Sequence, residues 1–348
     1  DLHSFPTRRS SDLHIVLTTR IDATYREYAA FANVTYYLTD AVDVTLGGRY
    51  ARNEQDGITE GTGLFSPGTG VAVFDFRENA TTYLATLRYR PSEHVDTYAR
   101  VATGYRPGGP QLTPSIAPFE HDTTTNYEVG VKARAADGRL SANLAVYYID
   151  WKEMQVSAFF ADGTTGTVNA GDARSQGAEL EMAYAPVRGL TLQLTTAYND
   201  SEVTQATGDA GLTVGDPLPY SAKWSGSVAA DYAFPIGASM EGSLGISYVY
   251  QGERHTSWSA DPFSPDVVLP SYDTLALRAG LTWSRYSLQL RAHNVTDEYA
   301  YTTFYANNFF AGFGAPPVNG LANVLPPRTL TLELSYMEIG RASCRERV

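Results

Sequence analysis

The residues best equipped for chemistry in this 348-residue chain are its few histidines and the acids and hydroxyls near them. His255 and Ser257, two apart, are the nearest approach to a base and a nucleophile, and hydrolysis would need a third, acidic group to orient them. Glu120-His121-Asp122 places three metal-ligating side chains in a row. Glu179 and Glu181 put two carboxylates on one face of any strand that carries them, a spacing open to acid–base work. No G-x-S-x-G, P-loop or C-x-x-C accompanies these groups. The bland readings weigh more: a polar triplet in a loop is usually solvated, and paired strand carboxylates line a wet face. The expectation is therefore no enzyme, no catalytic residue, no metal site and no cofactor.

Binding chemistry is better represented. The segment 297–325 holds Tyr301, Phe304, Tyr305, Phe309, Phe310 and Phe313, an aromatic density unusual for a loop. Exposed apolar clusters often mark a binding site, although the same rings could pack the loop against itself. Trp258 is a lesser candidate of the same kind. Tyr105 and Arg106 precede Pro107-Gly108-Gly109; either the pair faces an anionic ligand, or it is simply the strand end where Pro and Gly stop the ladder. Charge excludes one partner class. With 26 basic and 38 acidic residues the net charge is −12, and a nucleic-acid binder needs a cationic face to meet phosphates.

The elements that position these groups show one pattern. Apolar residues alternate with polar or small ones in segment after segment, as in Leu275/Leu277/Ala279/Leu281/Trp283 against Thr274/Arg278/Gly280/Thr282. Successive strand side chains point to opposite faces, so these are two-faced strands, about 13 of them. Short links near 39–42, 91–94, 135–138, 187–189, 235–238 and 284 alternate with long ones near 53–80, 104–123, 159–174, 202–219, 252–271 and 297–325. That is the organisation of a transmembrane antiparallel up-and-down β-barrel, with short inner turns and long outer loops. Strands of about ten residues are expected, the first over 26–38 with 14–25 as a loop tail, since that length crosses a bilayer. Arg49, Glu128, Lys132, Glu179, Glu181, Arg278 and Arg291 fall on the polar, lumen-lining side. A soluble β-sandwich is the competing reading, and the charged second face argues against it.

The two ends are set apart. Residues 3–13 (HSFPTRRSSDL) and 338–348 (EIGRASCRERV) are translations of one 33-base string and of its reverse complement, a string that resembles a sequencing-library adapter. Segments 1–13 and 338–348 are accordingly expected to be adapter-derived, and 14–337 to be a partial barrel. The only cysteine, Cys344, then belongs to a tail. An odd strand count is abnormal for a complete bacterial barrel, so strands are expected to be missing at the N-terminal side.

Four stretches carry a resemblance: Tyr98–Gly109 (YARVATGYRPGG), Asn169–Glu181 (NAGDARSQGAELE), His293–Tyr299 (HNVTDEY) and Pro326–Tyr336 (PPRTLTLELSY). In this order and at these strand ends they resemble the C-terminal barrel of the TonB-dependent outer-membrane receptors. The resemblance implies a barrel of about 22 strands, of which these are the last 13, around a plug this chain lacks. It also implies a place in the bacterial outer membrane among its lipid, the barrel-assembly machinery as a partner, and the TonB energy-coupling complex acting through the plug. Its ligand would be a scarce metal complex, typically a ferric siderophore, taken up with TonB-supplied energy. A passive porin-like channel is the alternative.

Overall fold

The computed structural model of the chain describes residues 18–62, 70–111, 116–135, 137–159, 165–207, 210–259, 264–307 and 319–336. Segments 1–13 and 338–348, with Phe309, Phe310 and Phe313, lie outside the described residues. The strands are β1 (Thr18–Tyr37), β2 (Val42–Thr62), β3 (Gly70–Ser92), β4 (Val95–Arg106), β5 (Asp122–Ala135) and β6 (Leu140–Lys152). There follow β7 (Gln155–Phe159), β8 (Thr165–Asn169), β9 (Gly171–Tyr184), β10 (Leu190–Ala206), β11 (Trp224–Ile236) and β12 (Met240–Gln251). Last come β13 (Arg254–His255), β14 (Val268–Leu269), β15 (Tyr272–Trp283), β16 (Tyr286–His293), β17 (Tyr301–Asn307), β18 (Asn319–Val324) and β19 (Thr329–Tyr336).

Thirteen strands form one antiparallel meander in the order β1-β2-β3-β4-β5-β6-β9-β10-β11-β12-β15-β16-β19. β7–β8, β13–β14 and β17–β18 are separate two-stranded hairpins within the long connections. The short turns fall where the alternation breaks. One is Asp137-Gly138, both at positive φ (55° and 82°), which suits a tight hairpin turn because its hand matches the twist of the strands.

Cross-strand register puts the apolar residues on one face. Val44, Leu46 and Tyr50 of β2 sit opposite Leu87, Ala85 and Thr81 of β3, and Leu244 and Ile246 of β12 opposite Ala279 and Leu277 of β15. Among the described residues none covers this face: Leu46 is 59% exposed, Val129 62% and Leu332 70%. A face like that is stable only against lipid, where each Leu or Val contributes about 1.5–3 kcal/mol on leaving water. Rings cluster at its short-turn end, with Trp283 stacked on Tyr286 at 5.7 Å and Tyr286 5.2 Å from Tyr336. Tyr198 and Trp224, 4.9 Å apart, lie at the other end. Two aromatic levels bounding an apolar band are the girdles of a membrane barrel.

The opposite face is polar, and Arg49, Glu128, Lys132, Glu179, Glu181, Arg278 and Arg291 share it. Arg49 meets Glu27, Arg278 meets Asp231 at 2.7 Å, and Arg291 meets Glu333 at 3.3 Å. Tyr98 donates to Glu128 at 2.6 Å and has the Lys132 ammonium 6.0 Å from its ring centroid. Asn143 donates to Glu181 at 3.3 Å. Glu179, opposite Ala145 on β6, lines the same cleft of about 440 Å³ as Glu128, Lys132 and Glu181. The Tyr98 ring lies flat over Gly130, where a Cβ would come within 2.5 Å of it.

Two expectations need correction. The first strand does not begin at residue 26: β1 starts at Thr18 and pairs with β2 from Thr18↔Thr62 to Tyr37↔Asp43. Nor is 53–80 a loop, since β2 and β3 stay in register from Val42↔Tyr89 to Gly61↔Gly70. β1, β2 and β3 have 20, 21 and 23 residues, about twice a bilayer crossing. The reason lies in the outward face of β2. It is apolar or small up to Tyr50 and then reads Arg52, Glu54, Asp56, so the sheet leaves the apolar zone without ceasing to be a sheet.

Candidate ligand-binding rim

At the long-connection end the strands feed a rim of linked loops. Glu78 of β3 accepts from the Gly108 amide at 2.9 Å and from Asn53 at 3.3 Å, and its other oxygen is 3.2 Å from His121 Nδ1. Gln55 donates to the Gly108 carbonyl at 2.7 Å. The β4–β5 connection is thereby fastened to β2 and β3. Gln155 of β7 then donates to the carbonyls of Pro107 and Glu120, both at 3.0 Å. Asn169 accepts from the Glu120 amide at 2.8 Å and donates to the Glu153 carbonyl at 2.8 Å.

The chain of contacts continues around the sheet. Thr207 donates its amide to Ala170 at 2.8 Å, and Asp216 accepts from the amides of Thr213 (3.0 Å) and Ser259 (3.1 Å). The Tyr220 amide reaches the His255 carbonyl at 2.7 Å, and its hydroxyl reaches the Phe304 carbonyl at 2.8 Å. Arg254, 7% exposed, donates to the carbonyls of Thr302 (3.2 Å) and Tyr301 (3.4 Å). Under this network sits the apolar core of the described residues: Met154, Val156, Ala158, Ala170, Ala173, Val203 and Ala210. Among the described residues the buried apolar cluster therefore lies in the rim. Sequence reasoning missed it because small and medium residues from separate connections supply it, and none is conspicuous alone.

The expected site residues that fall among the described ones, Tyr105, Arg106, Trp258, Tyr301, Phe304 and Tyr305, lie along these connections. Tyr105 receives a bond from Asn53 at 3.3 Å and stands edge-on to His121 at 6.3 Å. Arg106 is paired with buried Asp122 at 2.5 Å and lies 5.8 Å from the Trp151 ring. Its charge is thus already matched, and the pair acts as a strut. Trp258 packs against the rim core. Tyr301, Phe304 and Tyr305 belong to the β17–β18 hairpin, where Tyr301 is 6.2 Å from Phe304 and Tyr305 is exposed. Glu120, His121 and Asp122 part company, His121 facing Glu78 and Asp122 facing Arg106. His255 Nδ1 is 2.5 Å from Asp266, whose other oxygen accepts from the amides of Thr256 (2.9 Å) and Ser257 (3.2 Å). That arrangement closes a loop.

Three of the four stretches that carry the resemblance acquire physical reasons here. Gly171 has φ 138°, and a Cβ there would lie 2.0 Å from the Gln205 carbonyl oxygen, so the residue after Asn169-Ala170 must be glycine. Asn294, at φ 48°, donates to the carbonyls of Glu298 (2.9 Å) and Pro326 (3.0 Å) and accepts from the Glu298 amide at 2.8 Å. Gly108 comes within 2.4 Å of the Phe119 carbonyl, measured from where its Cβ would be.

The family model for "TonB dependent receptor-like, beta-barrel" matches residues 4–295. The chain belongs to the TonB-dependent receptor family. Its two-faced sheet of 13 strands has the fold of part of that family's outer-membrane barrel. The metal-pseudopaline receptor CntO of Pseudomonas aeruginosa is 30% identical over 240 residues, covering 69% of this chain and 32% of CntO. The pesticin receptor of Yersinia enterocolitica is 28% identical over 198 residues, covering 55% and 28% respectively. This TonB-dependent receptor chain thus spans about a third of the length of the curated relatives it matches. Among solved structures, the ferric yersiniabactin uptake receptor FyuA from Yersinia pestis superposes with a TM-score of 0.75 at 21% identity, over 92% of this chain and 46% of FyuA. The siderophore receptor PiuA from Acinetobacter baumannii gives 0.72 at 18% identity, over 91% and 44%. These structures share its fold.

Proposed function

We propose that the protein this chain belongs to is an active-transport receptor that captures a scarce metal chelate, of the ferric-siderophore class, for TonB-energised uptake. The observation that carries the reading is the similarity to CntO, whose name specifies a metal–pseudopaline complex. The linked rim supports it, because loops already joined to one another offer a preorganised mouth, which reduces the ordering cost of binding. Within that mouth the exposed rings of Tyr301 and Tyr305 are the ligand contacts, together with Phe304 and, in the same sequence segment, Phe309, Phe310 and Phe313. Tyr105, Arg106 and Trp258 hold the mouth in shape. Energy coupling runs through a plug encoded outside residues 14–337, and assembly through the barrel-insertion machinery.

The test uses the complete gene, sequenced across the junctions at 13/14 and 337/338. Continuous reading through the tails in the source genome would end the adapter assignment. The full receptor is then titrated with a panel of ferric chelates and their metal-free forms, following intrinsic fluorescence. Saturable quenching by one loaded chelate, reduced tenfold or more by Tyr301→Ala with Tyr305→Ala, is the expected result. Energy-independent leakage of small solutes without saturable binding would favour the passive channel.

A further inference from the structure

The two histidines of the rim share one arrangement. His121 has its Nδ1 3.2 Å from Glu78, and His255 has its Nδ1 2.5 Å from Asp266. The other histidines among the described residues, His94 at a short turn and His293 at the end of β16, pair with no carboxylate. An ionised carboxylate only accepts, so Nδ1 of each rim ring carries the hydrogen, and in the neutral ring the lone pair stands on Nε2. Histidines that ligate metals are held in this way. One ring nitrogen is tied to a carboxylate that fixes tautomer and orientation, and the other is left for the metal.

His121 is the better placed of the two. Its partner Glu78 stands opposite Asn53, on the lumen face of β3. The Glu78 side chain is 8% exposed, whereas the imidazole is 34% exposed. Fully buried Asn53 donates both to Glu78 and to Tyr105, each at 3.3 Å. Tyr105 stands perpendicular to the imidazole. The ring is thus fixed by a carboxylate and a phenol that are themselves joined through Asn53. Among the described residues its Nε2 has no hydrogen-bond partner. What that nitrogen can take follows from its surroundings. Among the described residues no three His, Cys, Asp or Glu side chains are grouped to cage a bare ion. A lone imidazole supplies a single ligand, so the others must arrive with the metal. The fitting cargo is a chelate that leaves a coordination position to water, around a metal that accepts imidazole, such as zinc, copper, nickel or iron. A chelate that already fills the sphere has no place for Nε2.

We infer that His121 Nε2 completes the coordination sphere of the incoming metal chelate at the mouth, with Glu78 as the residue that positions the ring. The inference rests on the metal-chelate reading above and narrows it to chelates with an exchangeable position. It also gives the receptor a means to tell a loaded chelate from its metal-free form, since only the metal takes the nitrogen.

The experiment uses the full receptor in detergent, without a histidine tag and carrying His255→Ala, so that a single carboxylate-oriented rim imidazole remains. The probes are copper(II) nitrilotriacetate, which leaves a coordination position open, and copper(II) EDTA, which fills the sphere. Pulsed EPR reads the remote ring nitrogen of an imidazole bound to copper. The signal is expected with nitrilotriacetate and absent with EDTA. His121→Gln keeps a donor for Glu78 but has no imidazole, and is expected to weaken binding roughly tenfold or more. Glu78→Gln keeps an acceptor for the Gly108 amide and is also expected to weaken binding, by roughly tenfold. His94→Ala leaves it unchanged. Heat-modifiable gel migration reports whether each variant is folded. Equal binding by folded His121→Gln, or an equal signal from the EDTA complex, would overturn the proposal. Unchanged binding by Glu78→Gln would overturn the positioning role. The ferric-chelate titration separates the two levels of the argument. Saturable quenching in a receptor with no His121-dependent copper signal ends this inference and leaves the metal-chelate reading standing. Quenching by no metal chelate at all ends that reading, and the inference with it.

Discussion

Glu78 on β3 and Gly108 in the β4–β5 connection are joined by a 2.9 Å bond from the glycine amide to Oε1, across a gap that the β3–β4 ladder has already left. That ladder stops at Leu84↔Ala102. Above it a side-chain carboxylate replaces the missing main-chain bonds and draws the connection over the polar face of β2 and β3. Glu78→Ala should therefore release the connection while leaving the membrane part of the sheet intact. A loss of about 1–3 kcal/mol is expected, since buried donors lose their acceptor. Hydrogen exchange should quicken at Gly108 and His121 and stay unchanged at Val129. Uniform exchange across β5 would contradict a local latch.

The two faces make opposite demands on a new charge. Ile246→Arg puts a guanidinium on the lipid side of β12, for an expected cost of about 2–4 kcal/mol. Ser247→Arg, one residue along on the polar face, should cost under about 1 kcal/mol. Denaturant unfolding in lipid vesicles measures both. Equal costs would mean that inside and outside have been exchanged.

Gly130 and Tyr98 form a lid and a seat. Gly130→Ala drives a methyl into the ring, at an expected cost of about 1–3 kcal/mol from overpacking, and should break the Tyr98–Glu128 bond. Adding Tyr98→Ala should recover part of the loss, because the clash then has no partner. A strictly additive double-mutant cycle would rule out the contact.

Tyr25, above the apolar band, donates to Asn53 at 2.9 Å. Its pKa is raised above 10.0, first by burial and then by the nearby Glu27 carboxylate. The folded state thus holds this proton more tightly than the unfolded chain does. The resulting stabilisation is fully present below pH 10 and is lost as pH rises through the raised value. Absorbance at 295 nm should show one late-titrating phenol fewer in folded Tyr25→Phe than in the folded wild type. An unchanged difference titration would refute it.

The sheet was legible because lipid and lumen impose opposite polarity on alternate residues, which made Leu275 to Trp283 and Leu330 to Tyr336 unmistakable as two-faced strands. The same signal vanished at Arg52–Asp56, where both faces are wet: Arg52, Glu54 and Asp56 point outward while Asn53 and Gln55 point inward. With polar residues on both sides there is no period to read, although the backbone ladder runs on to Gly61↔Gly70. The aromatic content of 297–325 stood out by composition. The partners of Tyr105 and Arg106 did not, because Asn53 and Asp122 lie 52 and 16 positions away and only pairing brings them near.

The bonds that build the rim run between connections far more than within them. Gln155 serves residues on the far side of β5 and β6, and Tyr220 serves a hairpin 84 positions onward. A single connection is consequently not a portable unit. Grafting 107–121 alone from a relative of different specificity would strand Gln155, Asn169 and Glu78 without their partners. Recognition in this lineage should then change by coordinated drift of the whole collar, with specificity inherited as one block.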